Sequence, residues 1–174
     1  MTTTSSDATV LFLESSRRTL LELYWPRLQQ CVESLTDEQV WWRPNEACNS
    51  IGNLILHLNG NVRQWIVASF NGIADQRDRP AEFGERELIA ASALLEMLGA
   101  TLEEASGVLA RLTGDDLLAR REIQGYDEVS GLDAVYHVVE HFGLHYGQIL
   151  YITKALRGAD LGFYRELNKT GRAR

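Results

Sequence analysis

Three of the chain's four histidines fall in HVVEHFGLHYGQ, at His137, His141 and His145, and apolar residues run through the same stretch. Each helical residue advances about 100°, so on a wheel with His137 at zero, His141 lies about 40° round and His145 about 80°. Ala134, Leu144, Ile149, Ile152 and Ala155 share or flank that arc. This predicts a helix face that a bundle buries, with the imidazoles turned inward. A buried imidazole without a partner costs on the order of 1–3 kcal/mol. The fold must therefore offer these side chains either a polar network or a metal ion.

The rest of the chain reads as helices that could surround such a face. A helical pattern runs through Leu11, Leu20, Leu21, Leu28 and Val32, with a kink expected at Pro26. Thr36 and Gln39 form a capping box for a short turn before Trp41 and Trp42, and RPNEACN reads as a loop. Ser50 caps a second long helix, whose Ile51, Ile55, Leu58, Val62, Trp65 and Ile66 fall on one side, and which should end near Asn71-Gly72. NGIADQRDRPAEFGE is loop chemistry, followed by a third helix from about Glu85 to Leu112 that Gly114 stops. Residues 120–129 are irregular or extended. Ser130 and Asp133 then start the histidine helix, which runs to Gly158. Four long helices without convincing strands predict an all-α four-helix bundle, one domain over residues 1–174 with residues 1–7 disordered.

His57 sits at the edge of the apolar stripe of the second long helix, with Asn53, Asn61 and Gln64 near it in a polar seam. If that seam meets the histidine face, three nitrogens can converge. An i, i+4 pair completed from another helix suits a three-histidine site with an open coordination position. The alternative is core histidines bonded to carbonyls, or to Glu140 and Gln148. Two other metal patterns fit poorly. HVVEH matches H-x-x-E-H, the zinc-protease motif, but Glu140 falls about 60° from His137 on the side away from His145. A carboxylate-bridged di-iron bundle needs Glu three residues before each histidine, where this chain has Leu54 before His57 and Val138 before His141.

A formal net charge of −7 and a pI near 5.1 argue against nucleic acid as a partner, since such proteins carry clustered basic surface. No apolar run approaches the ~20 residues of a membrane span, and MTTTSSD lacks the basic start and apolar run of a signal peptide. Cys31 and Cys48 form no CxxC, which fits a reducing compartment. A cytoplasmic protein without nucleic-acid or membrane partners is expected, its cysteines inert.

SIGNLILHLNGNVRQW, followed some way on by HVVEHFGLHYGQILYITKAL, resembles the DinB/YfiT-like superfamily of four-helix metalloproteins. TDEQVWWRP and the closing LRGADLGFY extend the likeness over nearly the whole chain. The resemblance implies His57, His141 and His145 as metal ligands, with His137, one turn earlier, behind them in support. Members often carry Arg before the Gly-Gln, where this chain has Tyr146. The superfamily includes thiol S-transferases using bacillithiol or mycothiol and a mycothiol-dependent isomerase. It also holds many members without known activity, among them the branch this chain most resembles.

The expected function is that of a metal-dependent enzyme with one divalent ion on three histidines, a thiol S-transferase or hydrolase acting on a small molecule. Zinc is expected, with nickel and iron as alternatives because imidazole suits all three, and a low-molecular-weight thiol is the further cofactor. Glu140, Tyr146 and Gln148 are candidates for proton handling or orientation, and Asn61 for orienting a ligand or bonding a metal-bound water. The competing reading is a non-catalytic metal-binding or structural bundle. Trp41, Trp42, Trp65 and Phe70 read as core. Similar proteins are often homodimers, and Gly143 and Gly147 offer a helix side where a second subunit, or the third helix of the same chain, could come close.

Overall fold

Several helices begin where a side chain can satisfy their first amides. In the computed structural model, which describes residues 4–165, Thr36 with Gln39 and Ser50 with Asn53 both form reciprocal capping boxes, and Ser130 accepts from the amide of Asp133. The first segment comprises α1 (Thr4–Arg18), a π-helical turn (Thr19–Tyr24) and α2 (Trp25–Glu33). The kink expected at Pro26 takes the form of that wider turn, because proline removes an amide and crowds the carbonyl four residues back. Helix already runs from Thr4, so the disorder expected over residues 1–7 does not extend to 4–7; residues 1–3 lie outside the described residues.

After the short α3 (Asp37–Val40), the second segment consists of α4 (Ile51–Val62), a second π-helical turn (Arg63–Ala68) and α5 (Ser69–Asn71). It ends at Gly72, whose φ of 64° is the left-handed cap that glycine adopts without strain. The stretch expected to be loop contains a helix, α6 (Arg79–Gly84), capped by Asp78 and started by Pro80. α7 (Ala91–Leu109) starts six residues later than expected, since Glu85 is extended and the amide of Ala91 is capped by Asp37 at 2.8 Å from a distant part of the chain. Gly114 opens a helix rather than ending one: Thr113 caps α8 (Gly114–Leu118).

The irregular segment is a two-stranded antiparallel hairpin, β1 (Arg120–Ile123) and β2 (Tyr126–Ser130), with Ile123 paired to Tyr126. Gln124 and Gly125 both have positive φ, 57° and 74°, which suits a tight two-residue turn. α9 (Gly131–Arg157) completes the bundle and is capped by left-handed Gly158. Four long helical segments make a multi-helix bundle around Leu28, Ile55, Leu58, Ile66, Leu98 and Phe142, all buried.

α9 turns to the core a different face from the one expected. α9 buries Ala134, Val138, Phe142, Tyr146, Ile149 and Thr153, a face centred about 90° from the histidine row. Leu144 is 54% exposed and Ala155 is exposed, so the arc centred on His137 is not the core face. His137, His141 and His145 stand at its margin, half-buried. The core needs only one side of a helix, and the more strongly apolar side takes it.

Candidate metal centre

His57 is buried on α4, whose polar seam divides between two partners. Asn53 and Gln64 clamp the loop and α6: the Asn53 amide donates to the carbonyls of Glu82 and Glu85 at 2.9 and 3.1 Å, and Gln64 bonds Asp75 and Arg77. His57 and Asn61 instead reach α9. His57 Nε2 lies 3.1 Å from His141 Nε2, which lies 3.2 Å from His145 Nε2. One ligand atom from each of His57, His141 and His145 falls within 4.8 Å of the other two. Nitrogens about 3.3 Å apart are what a tetrahedral ion with bonds of 2.0–2.1 Å requires.

Two of the tautomers are set from behind. His57 Nδ1 lies 2.8 Å from Glu82 Oε2, and His145 Nδ1 lies 2.7 Å from Gln148 Oε1. A carboxylate and an amide oxygen only accept, so both Nδ1 atoms carry protons and both Nε2 atoms present lone pairs to the centre. Arg77 Nη2 also approaches His57 Nδ1, at 3.0 Å, but its proton goes to Glu82 Oε2 at 2.9 Å. The buried Nδ1 of His141 has no partner among the described residues.

The carboxylate behind His57 is itself held. Arg77 forks onto it, Nε to Oε1 at 2.7 Å and Nη2 to Oε2 at 2.9 Å, and its Nη1 donates to Gln64 at 2.8 Å. Both side chains are almost wholly buried, Arg77 at 4% and Glu82 at 9% exposure. Burial pushes the Glu82 carboxyl upward, but the bonds from His57 and Arg77 and their charges outweigh it and hold it below the usual carboxylate range. Gly60 makes this possible: a Cβ there would collide with Glu82 Oε1 and come within 2.9 Å of Arg77 Nε.

The imidazoles of the row are held neutral. Burial, followed by the neighbouring His145, His57 and His137 and by Arg77, pushes His141 down to about 3. Burial also lowers His145 and His137. A metal needs neutral imidazole, so the donor set fits a divalent ion.

The other expected site residues are placed as follows. His137 Nε2 lies 3.1 Å from the Asn61 amide nitrogen and its ring lies 4.1 Å from that of Trp65, so it stands beside the three converging histidines with its nitrogen already engaged. Asn61 thus supports His137 rather than His57. Gln148 orients His145. Glu140 is exposed and reaches His137 and His145 through its charge. Tyr146 is on the core side of α9, its ring tilted against that of Tyr24 at 5.4 Å, and does not join the centre. Of the aromatics read as core, Trp41 is buried and Trp42 exposed, while Phe70 packs under Arg121. Trp65 is buried in the core as expected and also lines the cleft beside His137. Burial raises the Cys31 thiol to about 11, the opposite of an activated nucleophile. Gly143 is covered by Tyr24 of the same chain, whose hydroxyl would lie 2.7 Å from an added Cβ, while Gly147 is open.

Arg77 and Glu82 were not foreseen, because the stretch that carries them reads as loop. The signal was Asp78 before Arg79-Pro80, an N-cap followed by proline in the first turn.

His57, His137 and His141 line a cleft of about 620 Å³ whose walls also include Asn61, Trp65, Arg79 and, from the hairpin, Gln124 and Tyr126. Gln124 accepts from the Trp65 indole at 3.3 Å, which ties the hairpin to this wall. No helix among the described residues is long and apolar enough to cross a membrane.

A family described as "Protein of unknown function (DUF1572)" matches residues 7–165. No curated protein matches the chain. Among solved structures, a conserved protein from Enterococcus faecalis superposes with a TM-score of 0.71 at 15% identity, over 84% of this chain and 97% of that one. A DinB-like protein from Bacillus cereus ATCC 10987 superposes with a TM-score of 0.62 at 15% identity, over 86% and 93%. At this identity the likeness is one of fold, and the fold is the DinB-like helical bundle.

Proposed function

The chain belongs to the DUF1572 family, and on that footing we propose that it is a metal-dependent enzyme, a thiol S-transferase or hydrolase acting on a small molecule. His57, His141 and His145 would hold one divalent ion, zinc before nickel or iron. The observation that carries this reading is the convergence of three Nε2 atoms at 3.1 and 3.2 Å, two of them fixed as lone-pair donors by Glu82 and Gln148. A divalent ion on three neutral ligands supplies a Lewis-acid centre that eases loss of a proton from a thiol or water near neutral pH.

The chain's own residues support the remainder of that chemistry. Glu82 and Arg77 keep His57 in one tautomer and one orientation, and Gln148 does so for His145. His137, Trp65 and Asn61 form one wall of the cleft next to the ligands, which leaves room for a small molecule on that side. Glu140 is the exposed carboxylate nearest in charge to the row and the candidate for exchanging protons with solvent. Two cysteines that remain free thiols, Cys31 and Cys48, accord with a cytoplasmic setting.

The test is elemental analysis of protein purified without a histidine tag or nickel column, followed by turnover assays with low-molecular-weight thiols and electrophiles. About one equivalent of metal with thiol-dependent turnover is expected. Absence of metal even after zinc loading overturns the reading. Metal without turnover on any thiol or hydrolysable ester selects the non-catalytic, structural role instead.

A further inference from the structure

We infer that the cleft beside the histidines takes a small anionic molecule, whose negative group is held at its rim by Arg79. This rests on the metal-centre reading above and names the substrate class for it. The chain carries 24 acidic against 17 basic residues, yet among the described residues no Asp or Glu lines the cleft. Two arginines do. The charge of Arg77 is spent on Glu82 through a buried two-bond fork. Arg79 makes no ion pair among the described residues: it is exposed, with its guanidinium 4.9 Å above the Phe83 ring. Its charge reaches the row, where it helps lower His145 behind the effects of burial and of His57. Glu140, whose charge acts on His137 and His145, is exposed and outside the cleft lining.

Three neutral ligands cancel none of a divalent ion's charge, so metal and Arg79 together leave the cleft positive. An oxyanion, either carboxylate or phosphate, is the group that neutralises it. The remaining walls suit an organic body attached to that group. Trp65 and the 62% exposed Tyr126 offer ring faces, and the side-chain amides of Asn61 and Gln124 offer polar contacts. A volume of about 620 Å³ admits a small molecule of this kind.

The experiment is calorimetric titration of the zinc-loaded full chain with succinate, glycerol 3-phosphate and the uncharged succinamide, with metal content measured on every sample. At least one anion should bind at one site per chain at least about tenfold more tightly than succinamide, and the tighter of the two tells carboxylate from phosphate. Arg79→Gln should weaken that anion by about tenfold or more and Arg79→Lys by less, with metal content unchanged in both. Binding of succinate and of glycerol 3-phosphate that is in neither case tighter than that of succinamide overturns the inference. So does failure of both anions to bind, or an Arg79→Gln protein that binds the anion as the parent does. In each of these cases a normal metal content leaves the metal centre standing; protein that takes up no zinc overturns the metal reading and this inference with it.

Discussion

Glu82 accepts a hydrogen bond from Nδ1 of His57 at 2.8 Å, across 25 positions of sequence, and so decides which nitrogen of that imidazole faces the other histidines. Carboxylates placed this way raise the basicity of a ligand and lock its ring, and losing one typically costs ~10–100-fold in metal affinity. Glu82→Gln should therefore weaken zinc binding by about that factor while circular dichroism stays unchanged. Competition against a chelator of known affinity measures it. An unaltered affinity would remove Glu82 from the centre.

The histidines should fall into a hierarchy. His57→Ala, His141→Ala and His145→Ala should each abolish tight binding, because each removes one of three converging donors. His137→Ala should weaken it modestly, since its Nε2 is engaged with Asn61. Metal content after dialysis checks this. Loss of metal on removing His137, with His145 dispensable, would instead favour the H-x-x-E-H arrangement.

Gly60→Ala probes the same device from the other side. Its Cβ would meet Glu82 Oε1, so either the carboxylate moves or the helix does. Overpacking should cost ~1–3 kcal/mol, and zinc affinity should drop as it does for Glu82→Gln. A protein whose denaturation midpoint and affinity both match the parent would show that the loop gives way freely.

Stability of the metal-free protein should fall on acidification. His141 is held at about 3 in the fold by burial and then by its neighbours, whereas an unfolded histidine titrates near ~6.5. Between those values the unfolded chain binds a proton the folded chain refuses, so stability rises with pH across that window and is lost as pH falls through it. Glu82, lowered in the fold, acts in the same direction below the ordinary carboxylate value. Urea midpoints from pH 7 down to pH 4 should decline steadily. A flat profile would contradict the burial of the row.

Gly143→Leu should loosen the bundle, by ~1–3 kcal/mol in a thermal melt, because the space beside Gly143 is filled by Tyr24 of the same chain. A homodimer, which the superfamily resemblance leads us to propose, must then use another surface, and light scattering on the parent protein tests for it. A folded, metal-bearing monomer produced by Gly143→Leu from a dimeric parent would return that glycine to the interface.

Much of the fold was legible because its determinants are local. Capping by Thr36, Ser50 and Ser130 and termination at Gly72 and Gly158 depend on contacts within a few residues, and the sequence carries them openly. The spacing of His137, His141 and His145 likewise placed three imidazoles along one side of one helix by geometry alone. Which side the core would take was another matter. Periodicity identifies an amphipathic helix, but the depth at which each residue of an arc ends up depends on where the neighbouring helices sit, and here the core lies nearer Phe142 than His137. The partners of the site were decided further still from any local rule. Asp37 caps α7, Glu82 and Arg77 fold back over Gly60 to meet His57, and the hairpin brings Gln124 to Trp65. A polar stretch rich in Gly and Pro reads the same whether water or a helix satisfies its side chains. Only the packing of α6 against α4 excludes water from Arg77 and Glu82, and that exclusion gives their contact with His57 its strength.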